Sequence, residues 1–520
     1  MEKRVIIAIV LSILVLMLWS RIYKVPYSSQ QNRVTEKPLS STTVNETEQL
    51  KKSTLQTTVK QKGKEIELDF KDLNITFTNK GALLKHWYLK EKKQTLDLIL
   101  PDTIGFGIDE EFDNINGQLF SYKKKSNTIN FKYKLHNGLI LTKSYNINPY
   151  SNIHSFIVKI KNTSTTPKNI KGLSVYWKGN LGIDKSLLKY NRRETKFKAY
   201  IGEKIIKKLK TGEYSENIHW TSIINRYFVM AFINSDKAFS KIILRKNKKF
   251  SKLTITSSTF ILNPNEQKQF KLNFILCEKN YKKLKGMGYN LEKNVDFGMF
   301  DDIAKIFFHV LNFLFSITKN YGLAIIMLTI LIQIILFPLT RKSLQSMESM
   351  KRIQPELKLL QTKYKNDPKK LNIEIMNLYK SKKVNPFGGC LPMIIQMPIF
   401  IALFMMLRGA VELRHAPFIL WIKDLSQPDT LFHTAGLGIH ILPILMGLFM
   451  FIQQKMTSAD PSHKTMMAMM PILFVFIFWS FPSGLVLYWL MSNILTILEH
   501  LFIFRKQQPS KVSVIEGQIR

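Results

Sequence analysis

The sequence predicts a multidomain membrane protein with an N-terminal anchor helix, an antiparallel β-sandwich and a C-terminal five-helix transmembrane bundle that carries a basic helical hairpin. Long apolar runs lie in the first 23 residues and after residue 300, and about 20 such residues cross a bilayer. The stretch between them alternates apolar and polar residues, as half-buried strands do. Two apolar runs are joined by Arg341–Lys383, with 12 Lys or Arg and four Asp or Glu. Short positive loops stay in the cytoplasm, so this segment orients the chain.

Composition sets limits on the function. The chain has 520 residues, enough for several domains, and a formal net charge of +39. Such a charge is typical of nucleic-acid-binding proteins, but no nucleic-acid-binding motif accompanies it, and a Lys/Asn/Ile-rich compositional bias explains it better. The two cysteines, Cys277 and Cys390, lie in different predicted domains, so we expect no disulfide framework.

Residues 1–23 are predicted to be an uncleaved anchor with its amino terminus inside. Two basic residues precede the uncharged run Val5–Ser20, and no A-x-A-like cleavage site follows it. Trp19 and Tyr23 instead suit a membrane interface. Residues 24–60 are rich in Ser, Thr, Gln and Asn without apolar periodicity, which is typical of a flexible linker.

Residues 61–285 are predicted to form the β-sandwich, called the outer domain below. Period-two alternation recurs along this stretch, as in Phe270-Leu272-Phe274-Leu276, and turn-forming pairs such as Asn137-Gly138 and Asn263-Pro264 separate the predicted strands. Since the anchor runs from inside to outside, the domain lies on the outer side. Its many lysines are compatible with that side, because long domains are largely exempt from the positive-inside rule.

An amphipathic helix is predicted over residues 297–318. Its apolar residues recur at three- and four-residue spacing from Ile303 to Leu314. We expect it to lie flat in the outer membrane interface. A helix docked on the outer domain is the alternative that the sequence leaves open.

The remaining segments alternate between membrane and solvent. Asn366-Asp367-Pro368 breaks the basic segment into two amphipathic helices, which predicts a cytoplasmic hairpin. With the anchor, six spans result and both termini are cytoplasmic. The predicted boundaries are 321–339, 386–408, 437–455, 465–481 and 484–504 for the spans, 340–385 for the hairpin, 409–436 for a loop on the outer side and 505–520 for a basic inner tail.

Polar residues inside these spans are the candidate site. Intramembrane polar groups are costly unless they are paired, so they face either a bundle interior or a wet cavity. Thr329 and Gln333 lie one turn apart above the basic hairpin, which favours a cavity. For Ser492 and Asn493, hydrogen bonding between helices explains the pattern equally well. The other polar candidates are Gln396, Tyr488, Trp489 and Thr496.

Signatures of enzyme chemistry are missing from the sequence. Phe387–Cys390 (FGGC) has a glycine pair but lacks the Lys-Ser/Thr of a P-loop, no HExxH or G-x-S-x-G motif occurs, and the histidines show no metal-ligand spacing. The sequence therefore predicts a protein that is not an enzyme and has neither a metal site nor a cofactor.

Six stretches identify a resemblance to a known family. The chain strongly resembles the YidC membrane protein insertase family, in the form with a large periplasmic domain of supersandwich-like fold. The matching stretches are Val295–Phe300 (VDFGMF), Phe337–Thr340 (FPLT), Ser346–Glu356 (SMESMKRIQPE), Leu378–Phe404 (LYKSKKVNPFGGCLPMIIQMPIFIALF), Val411–Ser426 (VELRHAPFILWIKDLS) and Phe481–Asn493 (FPSGLVLYWLMSN).

The resemblance implies a function and its partners. Such a protein inserts newly made inner-membrane proteins and assists their folding, alone or with the Sec translocon, and takes no small-molecule substrate. It implies a hydrophilic groove that is open to the cytoplasm and to lipid and closed outside. Carried over by position, the groove or its substrate exit is lined by Thr329, Gln333, Gln396, Tyr488, Trp489 and Asn493.

The basic hairpin offers contacts to anionic partners. Its charge suits anionic phospholipid head groups or the RNA of the ribosome, and a merely solvated basic face is the competing interpretation. The residues expected to make these contacts are Arg341, Lys342, Lys351, Arg352, Lys380, Lys382 and Lys383.

Two positions depart from the family pattern. Gln333 stands where members commonly place an arginine that attracts acidic substrate tails, and Trp489 stands where a tyrosine is usual. Gln333 retains hydrogen-bonding capacity without charge. Charge attraction by Arg341 and Lys342 at the cytoplasmic mouth compensates only in part.

The residues alone leave two other functions open. A secondary transporter requires inverted repeats and broken helices; no internal repeat is detectable, although Pro392 and Pro398 interrupt an apolar run. A membrane-anchored carbohydrate-binding or carbohydrate-modifying β-domain requires paired carboxylates in a cleft, and the sequence alone does not place Asp109, Glu110 or Glu111 in one. Removal of residues 61–285 separates these functions, because an insertase is expected to retain most activity without them.

Overall fold

The computed structural model describes residues 62–505 except 92–94, 110–111, 113, 248–249, 386–390, 435–436 and 458–463. The predicted anchor (1–23), the linker (24–60), the FGGC segment and the basic tail beyond residue 505 lie outside the described residues.

The outer domain is an antiparallel β-sandwich, as the alternating pattern predicts. Its strands are β1 Glu65–Asp69, β2 Leu73–Thr78, β3 Leu83–Lys90, β4 Thr95–Asp97, β5 Ile104–Ile108, β6 Ser121–Lys125, β7 Thr128–Lys134, β8 Leu139–Asn146, β9 His154–Asn162, β10 Lys168–Ile170, β11 Ser174–Lys178, β12 Lys196–Ile201, β13 Lys204–Ile206, β14 Gly212–Ser215, β15 Ile218–Ile224, β16 Phe228–Ile233, β17 Lys241–Lys246, β18 Ser251–Thr256, β19 Phe260–Leu262 and β20 Gln267–Glu278.

Two nine-stranded sheets make up the sandwich. One has the order β1-β2-β3-β5-β11-β18-β17-β14, with β4 paired to β3, and the other has the order β13-β12-β15-β16-β20-β9-β8-β7-β6. A short pair, β10-β19, accompanies them. Strand β1 shows why such a sequence forms a half-buried strand: Ile66 and Leu68 are buried, while the acidic residues that alternate with them are exposed. Aromatic side chains fill the space between the sheets, where the Phe106 ring lies 4.6 Å from Phe274 and 5.0 Å from Phe156.

The turn predicted at Asn137-Gly138 connects β7 to β8. These strands pair antiparallel up to Lys134 opposite Ile140. Gly138 has a φ of 81°, in the left-handed region where a side chain is disfavoured. Glycine at this position therefore allows the tight reversal and fixes the register of both strands.

The second sheet is covered on both faces at its strand β16. Every residue of β16 is buried. Its alternate residues belong to two different apolar clusters: Met230 lies in the sandwich core, and Ala231 lies in a cluster that includes Leu284 and Leu291 and continues into the C-terminal helices. Burial on both faces explains why this strand is apolar throughout instead of alternating.

Ten α-helices are present in the described residues. They are α1 Leu188–Glu194, α2 Tyr281–Gly286, α3 Asp301–Thr318, α4 Tyr321–Arg352, α5 Gln354–Lys363, α6 Pro368–Ser381, α7 Leu391–Gly409, α8 Ile441–Thr457, α9 Lys464–Phe478 and α10 Ser483–Arg505. A two-residue strand pair, β21 His433–Thr434 and β22 Leu437–Gly438, precedes α8.

Two of these helices are long and apolar enough to cross a membrane. They cover Tyr321–Arg352 and Ser483–Ile503. Shorter apolar helical stretches occupy Gln396–Gly409, Ile441–Met456 and Met469–Phe478.

Helix α4 joins the apolar run to the basic segment without a break. It passes through Pro338 and ends at Arg352. Proline removes one backbone donor inside a helix; two residues further on, the Thr340 hydroxyl donates to the Leu336 carbonyl at 3.2 Å. Helices α5 and α6 follow, and the Asp367 side chain caps α6 by accepting from the Lys370 amide at 3.0 Å.

Helix α3 packs on the helical cluster and also contacts the outer domain, which is one of the two positions that the sequence left open. Phe308 is buried against the helical cluster, and its ring meets Tyr281 of α2 edge-on at 6.0 Å. Asp301 pairs with Lys207 of the outer domain at 3.3 Å. On the opposite side, Ile306 and Phe313 are more than 60% exposed, as expected for a helix that also faces a membrane interface.

A buried lysine, Lys143, predicts how stability depends on pH. Its ammonium nitrogen donates to the carbonyls of Gly81 (2.8 Å) and Phe106 (3.2 Å). Burial lowers the pKa of Lys143 from 10.5 to about 7. Between pH 7 and 10.5 the unfolded chain therefore binds more protons than the folded chain, so the free energy of unfolding rises with pH by up to roughly 1 kcal/mol per pH unit. Lys279, whose pKa burial also lowers to about 7, contributes with the same sign.

We expect the unfolding temperature of the full chain in detergent to rise from pH 7 to pH 9, and to rise less in Lys143→Met. Substitution of the exposed Lys125 of β6 by Met is the matched control and leaves the rise unchanged. An equal rise in Lys143→Met and the parent would show that Lys143 keeps its proton in the folded chain.

Candidate functional site

A cavity of about 840 Å³ lies between five of the described helices, α4, α7, α8, α9 and α10. Its described lining is Gln333, Thr340, Ser343, Leu344 and Met347 from α4; Gln396, Met397, Phe400, Ile401, Phe404 and Met405 from α7; Met450, Gln453 and Gln454 from α8; Phe474, Ile477 and Phe478 from α9; Phe481 from the following turn; and Tyr488, Trp489, Ser492, Asn493 and Thr496 from α10.

One wall of the cavity is polar and joins the two long apolar helices. The Gln333 side-chain amide of α4 donates to the hydroxyls of Ser492 (3.4 Å) and Thr496 (3.2 Å) of α10. Ser492 and Thr496 are four residues apart, so they share one face of α10. The sequence identified all three residues as polar members of the spans, and the structure brings them together.

Further along α10, two more polar residues line the same cavity. Tyr488 lines the cavity together with Gln396 of α7. The Asn493 amide donates to the Met446 carbonyl of α8 at 3.4 Å. Tyr488 and Asn493 are 3% and 6% exposed, so both are buried within the wall, and Asn493 is also hydrogen-bonded to a neighbouring helix.

A second part of the lining, called the aromatic wall, consists of rings. The Trp489 ring meets Phe400 edge-on at 4.5 Å and lies 5.1 Å from Phe478 and 5.5 Å from Phe474. These phenylalanines come from α7 and α9, and their individual positions carry no sequence signal beyond apolarity. The lining is therefore amphipathic, because it combines hydrogen-bonding groups with aromatic rings.

Several lining residues were missed by the sequence reasoning. Thr340 lies seven residues after Gln333, about two helical turns, and is therefore on the same face of α4. Gln453 and Gln454, at the end of α8, also line the cavity. The seven-residue spacing along α4 was a readable signal for Thr340, whereas the two glutamines look like an ordinary polar helix end.

Thr329, the remaining predicted groove residue, lies elsewhere. Its side chain is buried with 1% exposure, and its hydroxyl donates to the Ile325 carbonyl of the same helix at 2.7 Å. It is not part of the lining, so the geometry gives no support to a role for Thr329 in the cavity wall.

The cations of the predicted hairpin are spread over the surface of α4 to α6. Arg341, Lys342, Arg352, Lys380 and Lys383 are exposed. Lys382 forms an exposed ion pair with Glu356 at 2.6 Å, and Lys351 lies 3.9 Å from Glu348 and donates to the Met456 carbonyl.

The described lining of the cavity is partly polar but carries no formal charge. Each of its described lining residues is uncharged at neutral pH. Its polar wall offers amide and hydroxyl groups that accept and donate hydrogen bonds, so the cavity provides partners for a polar chain without attracting either sign of charge.

Family comparisons cover most of the chain in two parts. Residues 313–511 match the family model of the 60Kd inner membrane protein, and residues 105–310 match that of the YidC periplasmic domain. Similar curated proteins include the membrane protein insertase YidC of Endomicrobium trichonymphae, 40% identical over 452 residues that cover 86% of each chain. The membrane protein insertase YidC of Geotalea uraniireducens is 34% identical, over 98% of this chain and 100% of the relative.

Among solved structures, an active YidC insertase with its first transmembrane domain resolved is similar to this chain. It is 18% identical, covers 84% of this chain and 92% of its own, and has a TM-score of 0.38.

We expect the polar wall to be wet. In membrane vesicles, and with Cys277 and Cys390 replaced by Ser, Ser492→Cys should react at least roughly tenfold faster with a water-soluble maleimide than Ile334→Cys. The reason is that only a hydrated thiol ionises readily, and the thiolate is the reactive form. Ile334 is the matched control, since it follows Gln333 on the same helix but is 68% exposed on the outside of the bundle. Equally slow reaction at both positions would mean that the cavity is dry.

Proposed function

Because the chain belongs to the YidC family of membrane protein insertases, we propose that it inserts newly made membrane proteins through the cavity between α4 and α7–α10, which serves as a groove for the polar segment of the substrate. The observation that supports this role is the polar wall of Gln333, Ser492 and Thr496, set within helices that are otherwise apolar enough to span a membrane.

The groove lowers the cost of moving a polar segment into hydrocarbon. A peptide group without a hydrogen-bond partner costs roughly several kcal/mol in an apolar medium. Water and the amide and hydroxyl groups of the wall supply partners along part of the path, so the dry part of the crossing is shorter. The apolar segment of the substrate then moves sideways into lipid, and its burial contributes about 0.8 kcal/mol per CH₂ group to drive the step.

The aromatic wall suits this sideways exit. The Trp489 ring and its phenylalanine neighbours present apolar, rigid surface beside the polar wall. A transmembrane segment of the substrate contacts rings and lipid on one side while its polar flank remains among hydroxyls and amides. On this account the groove requires no charged residue and no chemical step, and the protein is a non-enzymatic insertase.

We propose the following placement. The protein is a multi-pass protein of the bacterial inner membrane, with six spans, cytoplasmic termini and a periplasmic outer domain. The positive charge of Arg341–Lys383 supports this orientation, because short basic loops between spans stay inside. The cavity residues of α4 from Gln333 to Met347 lead towards this basic segment, so the proposed groove opens to the cytoplasm.

The hairpin is proposed as the contact surface for cytoplasmic partners. Its exposed cations suit anionic phospholipid head groups and ribosomal RNA, and we propose the Sec translocon as a further partner. Surface ion pairs such as Lys382–Glu356 are weak in water, so Lys382 is easily released to an anionic partner.

We expect depletion of the protein to block insertion of a small, Sec-independent membrane protein in a protease-protection assay, since its polar tail then meets no groove. Restored expression of the parent chain should restore protection. Normal crossing of the tail in depleted cells would contradict the proposed function.

The same assay tests the uncharged groove. Gln333→Arg should support insertion and should favour substrates with acidic tails, because a guanidinium attracts carboxylates. Gln333→Leu is the uncharged control and should not favour them. A severe general defect in Gln333→Arg would contradict the view that position 333 tolerates either a neutral or a cationic donor.

A further inference from the structure

A buried ionic cluster connects the outer domain to the loop after α7. Arg414 in this loop has a side chain that is 2% exposed. Its guanidinium donates two parallel hydrogen bonds to Asp184, at 2.9 and 2.8 Å, and a further one to Glu91. It also lies over the Phe228 ring at 5.3 Å. Burial alone would lower the pKa of Arg414, but the hydrogen bonds of Asp184 and Glu91 raise it, so the cation is fixed in place.

The next residue extends the cluster along the loop. His415 places one ring nitrogen 3.3 Å from Glu91 and the other 3.2 Å from Asp424. Its backbone amide also donates to Asp424 at 3.1 Å, and its φ of 59° is unusual for a side-chain-bearing residue. Backbone strain of this kind persists only where surrounding contacts over-determine it, as they do here.

From Asp424 onward the loop is attached to the start of α10. The Ser483 hydroxyl donates to the Asp424 carbonyl at 2.9 Å and its amide to the Gln427 carbonyl at 2.7 Å. The Gly484 amide donates to the Leu425 carbonyl at 3.0 Å. Leu425 itself is fully buried.

The loop is attached to the start of α4 as well. The Asn320 side chain, which caps α4, donates to the Phe418 carbonyl at 3.3 Å. Gly322 leaves room for the Phe418 ring, because a Cβ on Gly322 would come within 2.0 Å of it. Residues 410–429, called the seal below, therefore cover the starts of the two helices whose Gln333 and Ser492 form the polar wall.

A second ion pair joins the outer domain to the end of α7. Glu194 of α1 accepts from Arg226 at 2.8 Å and from Arg408 at 2.7 Å. Asn280 donates to Glu412 at 3.0 Å, within the first residues of the seal. The outer domain thus holds the seal at its beginning and at Arg414.

We propose that the outer domain acts as a clamp that keeps this end of the cavity closed. Asp184 and Glu91 hold Arg414 and His415, and the rest of the seal is bonded to the start of α10 through Asp424 and to the start of α4 through Phe418. Arg414 cannot shed its charge, so loss of its carboxylate partners leaves an unpaired buried cation, which is strongly destabilising. The seal then relaxes away from the helices. The inference uses the proposed function only in requiring that one end of a groove stay closed.

The test measures access to Leu425 from the outer side. In spheroplasts, with Cys277 and Cys390 replaced by Ser, Leu425→Cys is treated with a membrane-impermeant maleimide. We expect little labelling in this parent, and at least roughly tenfold faster labelling when Asp184→Asn and Glu91→Gln are added, because local opening exposes the thiol. Glu213→Gln breaks the exposed pair with Lys241 and is the matched control. It should leave labelling unchanged.

Two further variants distinguish a clamp from general damage. Arg414→Lys keeps the charge but loses the paired hydrogen bonds, so its labelling should be intermediate. If the double variant does not accumulate, Glu91→Gln alone keeps the Asp184–Arg414 pair and should raise labelling less. Labelling of every clamp variant at the parent's rate would overturn the proposal. This readout does not depend on insertion, so failure of the proposed function would leave it interpretable.

Discussion

Polar groups within hydrocarbon must be paired or wet, and this constraint governs the helical half of the protein. Gln333 would be expensive on an isolated apolar helix. In the folded chain its amide reaches two hydroxyls of α10 and faces a cavity of about 840 Å³. The same contacts that satisfy Gln333 hold α4 against α10. The polar wall is therefore a structural contact between the two long apolar helices and, in the function proposed above, also the surface that a polar substrate segment meets.

The outer domain is tied to the helices by two different kinds of contact. Its second sheet has an apolar outer face that continues into the helical cluster through Leu284 and Leu291. Beside this apolar contact, Arg414 forms a buried, hydrogen-bonded ion pair with Asp184. Apolar burial provides affinity without direction, whereas paired hydrogen bonds fix one geometry. Asp184 and Glu91 lie within residues 61–285, so removal of this segment would also remove the proposed clamp on the seal. If the clamp is correct, an insertase without these residues need not retain most of its activity.

Much of the architecture could be predicted from local patterns. Alternation in β1 and the glycine turn at Gly138 are local signals, and such signals are enough to predict an antiparallel sandwich. The polar residues Gln333, Ser492 and Thr496 were recognisable because each interrupts an apolar run. Local patterns do not show which residues that are far apart along the chain come into contact. Arg414 and Asp184 are 230 residues apart, and each alone resembles an ordinary surface charge. Thr329 and Gln333 share a helix face by spacing, yet only the second lines the cavity, because the neighbouring helices decide how far the lining extends.

The central claim is that substrate passes along the wall of Gln333 and Ser492. Site-specific photocrosslinking with a stalled, partly inserted substrate tests it most directly. A photoreactive residue at position 492 should form adducts with the substrate, whereas one at position 334, on the outside of the same bundle, should give only background. Adducts that form equally at both positions, or only at position 334, would contradict the account.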